Sequence, residues 1–227
     1  KTNSIQPDRL AFYSYAHVPW IKGNGQRGFN DEDIPKDDKK RMLYETGKKL
    51  LFENGYHEIG MDHFALKTDT LYDAFEKGAL HRNFMGYSSS KTKLMIGLGV
   101  SSISDSWYSF AQNVKSLEEY YQLLERNKLP VYRGHLLTGE DLIIRKHILN
   151  LMCQFETSWK NQEAYFEEIP EVLNQLKEME NDGLLIIKEN SIAVTEKGKP
   201  YVRNICMAFD LRLKRKAPET ELFSMTI

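Results

Sequence analysis

The sequence predicts an α/β fold that gives way to a mainly helical C-terminal domain, and three observations carry the prediction. Strand-like apolar runs alternate with a helical pattern up to residue 110, helical periodicity takes over beyond it, and the last third orders helix, hairpin, helix. The expected division is 1–110 for the α/β part, 111–160 for a helical connector and 161–227 for the C-terminal domain. A chain of 227 residues, 41% hydrophobic and 28% charged, has an ordinary globular composition and can bury a substantial core.

Leu10 to Val18, LAFYSYAHV, reads as a buried strand that stops at Pro19. Ile21 to Lys36 carries Gly23, Gly25, Gly28 and Pro35 and reads as a long surface loop. From Asp37 to Asn54 the pattern is helical, with Met42, Leu43, Leu50 and Leu51 on one side and Gly55 in the C-cap place. Tyr56 to Ile59 is strand-like and leads to Gly60, so strand, helix, strand favours a βαβ unit and a parallel sheet. Thr68 or Asp69 can cap a short helix through Leu71, Ala74 and Phe75 that Gly78 ends, which leaves His81-Arg82-Asn83 on a loop. Leu94 to Ile103, LMIGLGVSSI, fits a buried strand with close backbone approach at Gly97 and Gly99.

Further on, Ser116 with Glu119 makes a capping box ahead of Leu117, Tyr120, Tyr121 and Leu124. Thr138 and Asp141 start another helix, with Ile144, Ile148, Leu151, Met152 and Phe155 on one stripe. Glu163 to Asn181 is a helix closed by Gly183, and Leu184 to Lys188 and Ile192 to Thr195 flank Glu189-Asn190-Ser191 as a hairpin. A last helix places Val202, Ile205, Cys206, Phe209 and Leu213 on one face, which completes a winged-helix-like order.

Fold does not fix function, and charge argues against the DNA binding usual for that order. The net charge is -1, and the cations cluster only at Arg212, Lys214, Arg215 and Lys216, where a charged helix end is the simpler reading. No stretch reaches a transmembrane length, so neither nucleic acid nor a membrane is expected as partner. Cys153 and Cys206 stand far apart inside helical patterns, which suits a reducing, cytoplasmic setting. The chain begins at Lys1 with no signal peptide and enters structured-looking sequence at once, as a fragment would.

The run from Gly55 to Tyr87 gathers His57, Asp62, His63, His81, Arg82, Asn83 and Tyr87 where a strand meets a loop, a place where α/β proteins hold ligands. Asp62 and His63 are adjacent, and neighbours on a strand point to opposite faces, so a capping Asp and a core His are the simpler reading. Arg82 suits a carboxylate, of a substrate or of a structural ion pair. Gly97-Leu98-Gly99 is an incomplete nucleotide fingerprint, with Ser102 in the third glycine's place.

The blocks YAHVPW, GMDHFA, LHRNFMGY, GLGVSSIS, AQN and RNICMAFD, in this order, resemble the C-terminal half of the oxygen-independent coproporphyrinogen III oxidases, or coproporphyrinogen dehydrogenases, of haem biosynthesis. The resemblance runs from about Leu10 to the terminal FSMTI. It implies the C-terminal part of a partial (β/α) barrel of the radical S-adenosylmethionine superfamily. In the family an upstream CxxxCxxC motif, absent here, binds a 4Fe-4S cluster. That cluster cleaves S-adenosyl-L-methionine to a radical that decarboxylates two propionates of coproporphyrinogen III to vinyl groups.

By the same resemblance Ala16, Phe84, Met85 and Ile103 match positions that contact S-adenosylmethionine, with Met85 where the family commonly has glutamine. A thioether cannot replace the amide's donors. His63, His81 and Arg82 are the expected contacts to substrate carboxylates. The alternative is a haem-binding or trafficking homologue without dehydrogenase activity. The fragment alone is expected to be inactive, to come from a monomeric parent, and to be able to self-associate through the edge strand at Leu10 to Val18.

Overall fold

The structure, a computed structural model, describes residues 5–17, 28 and 30–215. Most of the loop expected at 21–36, the end of the strand expected at Val18, and Lys216 lie outside the described residues. The chain divides into two compact units, 1–73 with 211–227 and 74–210.

In the first unit a three-stranded sheet has the order β1-β3-β2, formed by β1 (Arg9–Ala11), β2 (Tyr56–Gly60) and β3 (His63–Leu66), with helix α1 (Asp37–Glu53) between β1 and β2 in sequence. Both pairings are antiparallel, which corrects the expected parallel sheet. The physical reason is local. Met61 takes φ +46 in a two-residue turn, so β3 folds straight back beside β2 and fills the place that a parallel strand could reach only through a long crossover. β1 and β2 then run the same way on either side of β3.

The strand expected over Leu10 to Val18 shrinks to three residues because Ala11 pairs with His63, where β3 begins. Beyond Ala11 there is no ladder to join, and Tyr13 and Tyr15 are exposed. Phe12 still docks. Its ring stacks on Tyr44 at 5.5 Å and fills the place of the side chain that Gly47 lacks. That choice turns α1: Tyr44 and Leu51 are buried, whereas Met42, Leu43 and Leu50, expected on the inner side, are exposed. Leu51, Tyr56 and Phe64, with Leu10, Phe12 and Leu66 around them, form the core of this unit. Gly55 at φ +84 ends α1, as its position predicts. Asp69 accepts from Leu71 N at 2.6 Å at the start of α2 (Thr70–Glu76) and holds Arg9 through both carboxylate oxygens, at 2.9 and 2.7 Å.

The second unit opens with a hairpin of β4 (His81–Asn83) and β5 (Gly86–Ser88). An antiparallel four-stranded sheet follows, of β6 (Leu94–Met95), β7 (Ile103–Ser106), β8 (Ser109–Asn113) and β9 (Val131–Leu136) in that order, with α3 (Leu117–Glu125) between β8 and β9 in sequence. The single strand expected over Leu94 to Ile103 is instead β6, a turn and the first residue of β7. Gly99 at φ +95 and Ser101 at φ +60 reverse the chain, and Leu94, Ile96 and Leu98 are exposed. Ser116 caps α3 through Glu119 N at 3.4 Å, but α3 buries none of its residues.

Helix α4 (Gly139–Gln154) starts at the predicted Thr138 and Asp141, which form a capping box. After it come β10 (Glu156–Ser158), α5 (Ile169–Asn181), β11 (Leu185–Lys188), β12 (Ser191–Val194) and α6 (Val202–Phe209). The predicted hairpin forms with a two-residue turn, Lys188 pairing with Ser191, and β10 adds a third strand in the order β10-β12-β11. Leu151, Val172, Leu176, Ile192, Val202 and Ile205 are each at most 1% exposed. Burying such a side chain contributes about 1.5–3 kcal/mol. The final helical face is shorter than expected. α6 ends before Asp210, and Leu213 lies in a separate short helix, Leu211–Arg215, of the first unit.

Candidate functional site

The polar run from Gly55 to Tyr87 is divided between the two units. In the first, Asp62 lies in the β2–β3 turn, its carbonyl accepting from Phe12 N at 2.7 Å, and His63 opens β3, half-buried. Tyr44 donates its hydroxyl to Met61 O at 3.2 Å, and burial, then the charges of Glu58 and Asp62, push its pKa above the usual tyrosine value. His57 packs its ring against Tyr72 at 4.8 Å. Ala16 is exposed in the segment after β1.

In the second unit His81-Arg82-Asn83 is strand rather than the expected loop. Asn83 Oδ1 accepts from Met85 N at 2.9 Å, Gly86 takes φ +121, and this closes a two-residue turn that pairs the three residues with Gly86–Ser88. Phe84 and Met85 form the tip, 64% and 77% exposed. The register sets Arg82 opposite Tyr87, and the guanidinium carbon lies 4.7 Å from the Tyr87 ring centroid. Tyr87 donates its hydroxyl to Met152 O at 2.8 Å, which anchors the hairpin to α4.

Arg82 Nη1 is buried and has no hydrogen-bond partner among the described residues. No carboxylate among the described residues pairs with Arg82. Burial pushes the Cys153 thiol up to about 11 and the Cys206 thiol up to about 12, although the charge of Arg82 opposes both. They are inert core thiols at neutral pH. Burial, then the charge of Arg145, lowers the His81 pKa, so His81 is a neutral hydrogen-bonding group near pH 7.

Arg145 is a functional-looking residue that the sequence reading missed. It pairs with Asp105 at 2.7 Å, with side chains 14% and 8% exposed, donates to Ser106 O at 3.0 Å, and lies 4.9 Å from both the Trp107 and Phe110 rings. Its charge is therefore fully engaged. The available signal was one arginine inside an apolar helical stripe, but its partner stands 40 residues earlier on a strand. His147 was missed in the same stripe. It is 1% exposed, with Nδ1 2.7 Å from Thr157 Oγ1 and Nε2 2.7 Å from Ala164 O. A carbonyl can only accept, so Nε2 carries the proton and Nδ1 accepts from the threonine hydroxyl.

Of the residues expected at a cofactor or substrate, Phe84, Met85, His81, Arg82 and Ile103 belong to the second unit, and Ala16 and His63 to the first. Among the described residues no group of three or more His, Cys, Asp or Glu could hold a metal ion, and the chain's two cysteines are one short of the three that a CxxxCxxC motif supplies. No helix among them is long and apolar enough to cross a membrane.

No protein-family model matches the chain. It is 39% identical over 218 residues to the oxygen-independent coproporphyrinogen III oxidase of Escherichia coli, covering 94% of this chain and 48% of that protein. It is 36% identical over 236 residues to the protein of the same name from a Synechocystis species, covering 100% and 50%. Among solved structures it matches coproporphyrinogen III oxidase (HemN) from Escherichia coli, a radical SAM enzyme, with a TM-score of 0.86, 38% identity, and coverage of 93% of this chain and 50% of that one. The resemblance read from the sequence blocks thus holds over most of the chain, which spans about half the length of the curated relatives it matches.

Proposed function

We propose that this chain is the C-terminal portion of an oxygen-independent coproporphyrinogen III dehydrogenase, a radical S-adenosylmethionine enzyme that converts coproporphyrinogen III to protoporphyrinogen IX. The observation that carries the reading is the 38% identity at a TM-score of 0.86 to coproporphyrinogen III oxidase (HemN), a radical SAM enzyme. In this reading residues 1–110 complete a partial barrel, 111–160 connect, and 161–227 form a winged-helix-like domain. The order α5, β11, β12, α6 within 161–227 supports the last part. A cytoplasmic setting accompanies it.

S-adenosylmethionine supplies the radical when bound. Ala16, Phe84, Met85 and Ile103 are the residues of this chain that would face it. The fit rests on the exposed apolar tip at Phe84 and Met85 and on the close approach at Gly97, where a Cβ would lie 2.7 Å from Ile103 O. The 4Fe-4S cluster would be held by residues outside this chain.

Arg82 is the strongest of the three substrate residues. Among the described residues its buried Nη1 lacks an acceptor, and a propionate carboxylate would provide one. His81, held neutral, would add a hydrogen bond rather than a charge. His63 keeps its place in the reading as a further polar group.

Anaerobic turnover by the full-length protein, followed by product analysis, tests the reading. Protoporphyrinogen is the expected product, and unchanged coproporphyrinogen bound to the protein would replace this reading with a tetrapyrrole carrier. Within it, Arg82→Ala is expected to raise the Michaelis constant for substrate, and an unchanged constant and turnover would remove that role.

A further inference from the structure

The turn between β6 and β7, residues 96–102, presents large apolar side chains outward, with Ile96 and Leu98 67% and 85% exposed. Burial therefore does not hold it. What holds it is a set of polar contacts, three of which meet at one side chain. Asn113, the last residue of β8 and 8% exposed, donates through Nδ2 to Gly99 O at 2.9 Å and to Ser102 Oγ at 3.0 Å, with Gly97 O at 3.4 Å. An amide nitrogen has two protons, so the first two are its full bonds and the third is a weaker, shared one. Ser102 spends its own proton on Gly99 O at 2.7 Å, which leaves its oxygen free to accept from Asn113.

The rest of the turn is tied in the same way. Gly99 N donates to the Tyr120 hydroxyl at 3.2 Å, Gly97 N to Ser104 Oγ at 3.0 Å, and Asn113 N to Ser102 O at 2.9 Å. The turn lies directly on Ile103, because a Cβ at Gly97 would meet the Ile103 backbone at 2.7 Å. The turn and Ile103, which pairs with Gln112 at the start of β7, are therefore in close contact.

We propose that Asn113 is the positioning residue of the S-adenosylmethionine contact at Ile103: it fixes the 96–102 turn and so presents Ile103 in one preorganised place. The inference rests on the assignment of Ile103 to the cofactor. Preorganisation raises affinity by removing the cost of ordering the turn on binding. Asn113 does this without touching the ligand.

The test compares wild type, Asn113→Asp and Tyr120→Phe in the full-length, cluster-loaded protein. Asn113→Asp keeps the shape and replaces the donor with an oxygen facing carbonyls, and Tyr120→Phe removes only a hydroxyl, so it keeps the test decisive should the aspartate variant fail to fold. Three quantities are read: the dissociation constant for S-adenosylmethionine by equilibrium dialysis, amide exchange across 96–102, and the melting temperature. Asn113→Asp is expected to weaken binding about tenfold, about 1.4 kcal/mol, and to speed exchange at Gly97 and Gly99, with Tyr120→Phe moving both in the same direction by less. Ile192→Val, a destabilising change in the three-stranded sheet, should lower the melting temperature and leave binding unchanged. Faster exchange with an unchanged dissociation constant would overturn the proposal alone. A wild-type protein that binds no S-adenosylmethionine would overturn the assignment of Ile103 and this proposal with it, while the exchange data would still report whether Asn113 holds the turn.

Discussion

Two regions of the second unit are built on opposite principles. Around β10, β12 and β11 the elements meet through side chains that are almost wholly buried, Val172, Ile192, Val202 and Ile205 at 0% exposure. Around β6 to β9 the strands leave Leu94, Val131, Tyr132 and Leu136 exposed, α3 buries nothing, and the order comes from Asp105–Arg145 and from Asn113. Packing is non-directional and tolerates small adjustments, whereas a buried polar network specifies one geometry and fails when one member is lost. The contrast is what a supporting domain beside a ligand-shaping surface would require.

The largest effects should separate the two regions. Leu151→Ala, at 0% exposure, is expected to cost about 3 kcal/mol or more in denaturant unfolding, because the site cannot collapse around the cavity. Arg145→Ala should cost a similar ~3 kcal/mol for a different reason, the buried Asp105 carboxylate left unpaired. A double change of Arg145→Met with Asp105→Leu recovers most of that loss if the network is polar bookkeeping alone. Failure to recover would mean that the contacts of Arg145 with the Trp107 and Phe110 rings dominate.

Acid should strike the packed region through His147. Burial, more than the charge of Lys146, lowers its pKa, against the hydrogen bond to Ala164 that raises it. The unfolded histidine takes up a proton near pH 6.5 while the folded one does not, so stability falls as pH drops below about 6.5 and is independent of this group above it. Unfolding curves at pH 7.5 and 5.5 should converge in His147→Gln.

Glycine substitutions sharpen the comparison at smaller cost. Gly97→Ala must displace the Ile103 backbone and is expected to cost about 1–3 kcal/mol, whereas Gly55→Ala, with open space but φ +84, should cost about 1 kcal/mol. The smallest effect on stability belongs to Met85→Gln at the exposed hairpin tip, within about 0.5 kcal/mol. Its expected signature is tighter S-adenosylmethionine binding by the full-length protein.

The legible part of the site was chemical rather than spatial. Arg82 stood out because a guanidinium suits a carboxylate, whereas its register opposite Tyr87 came only with the hairpin that Asn83 and Gly86 close. Asp105 and Arg145 were illegible as a pair because the two halves lie on a strand and a helix, 40 residues apart. The mistaken stripe of α1 has the same origin: Met42, Leu43 and Leu50 are as apolar as Leu51, and only the docking of Phe12 against Gly47 chooses which side is covered.

By itself the sequence determined what nearest neighbours along the chain decide. The box of Thr138 and Asp141, the positive-φ ends at Gly55 and Gly183, and the hairpin at Glu189-Asn190 all follow from backbone sterics and hydrogen bonds within a few residues. Tertiary structure alone decided that β3 enters between β1 and β2, that the apolar run at Leu94 breaks into an exposed turn, and that Asn113 holds it. Those outcomes compare the burial of one surface with the burial of another, and no stretch of sequence contains both sides of that comparison.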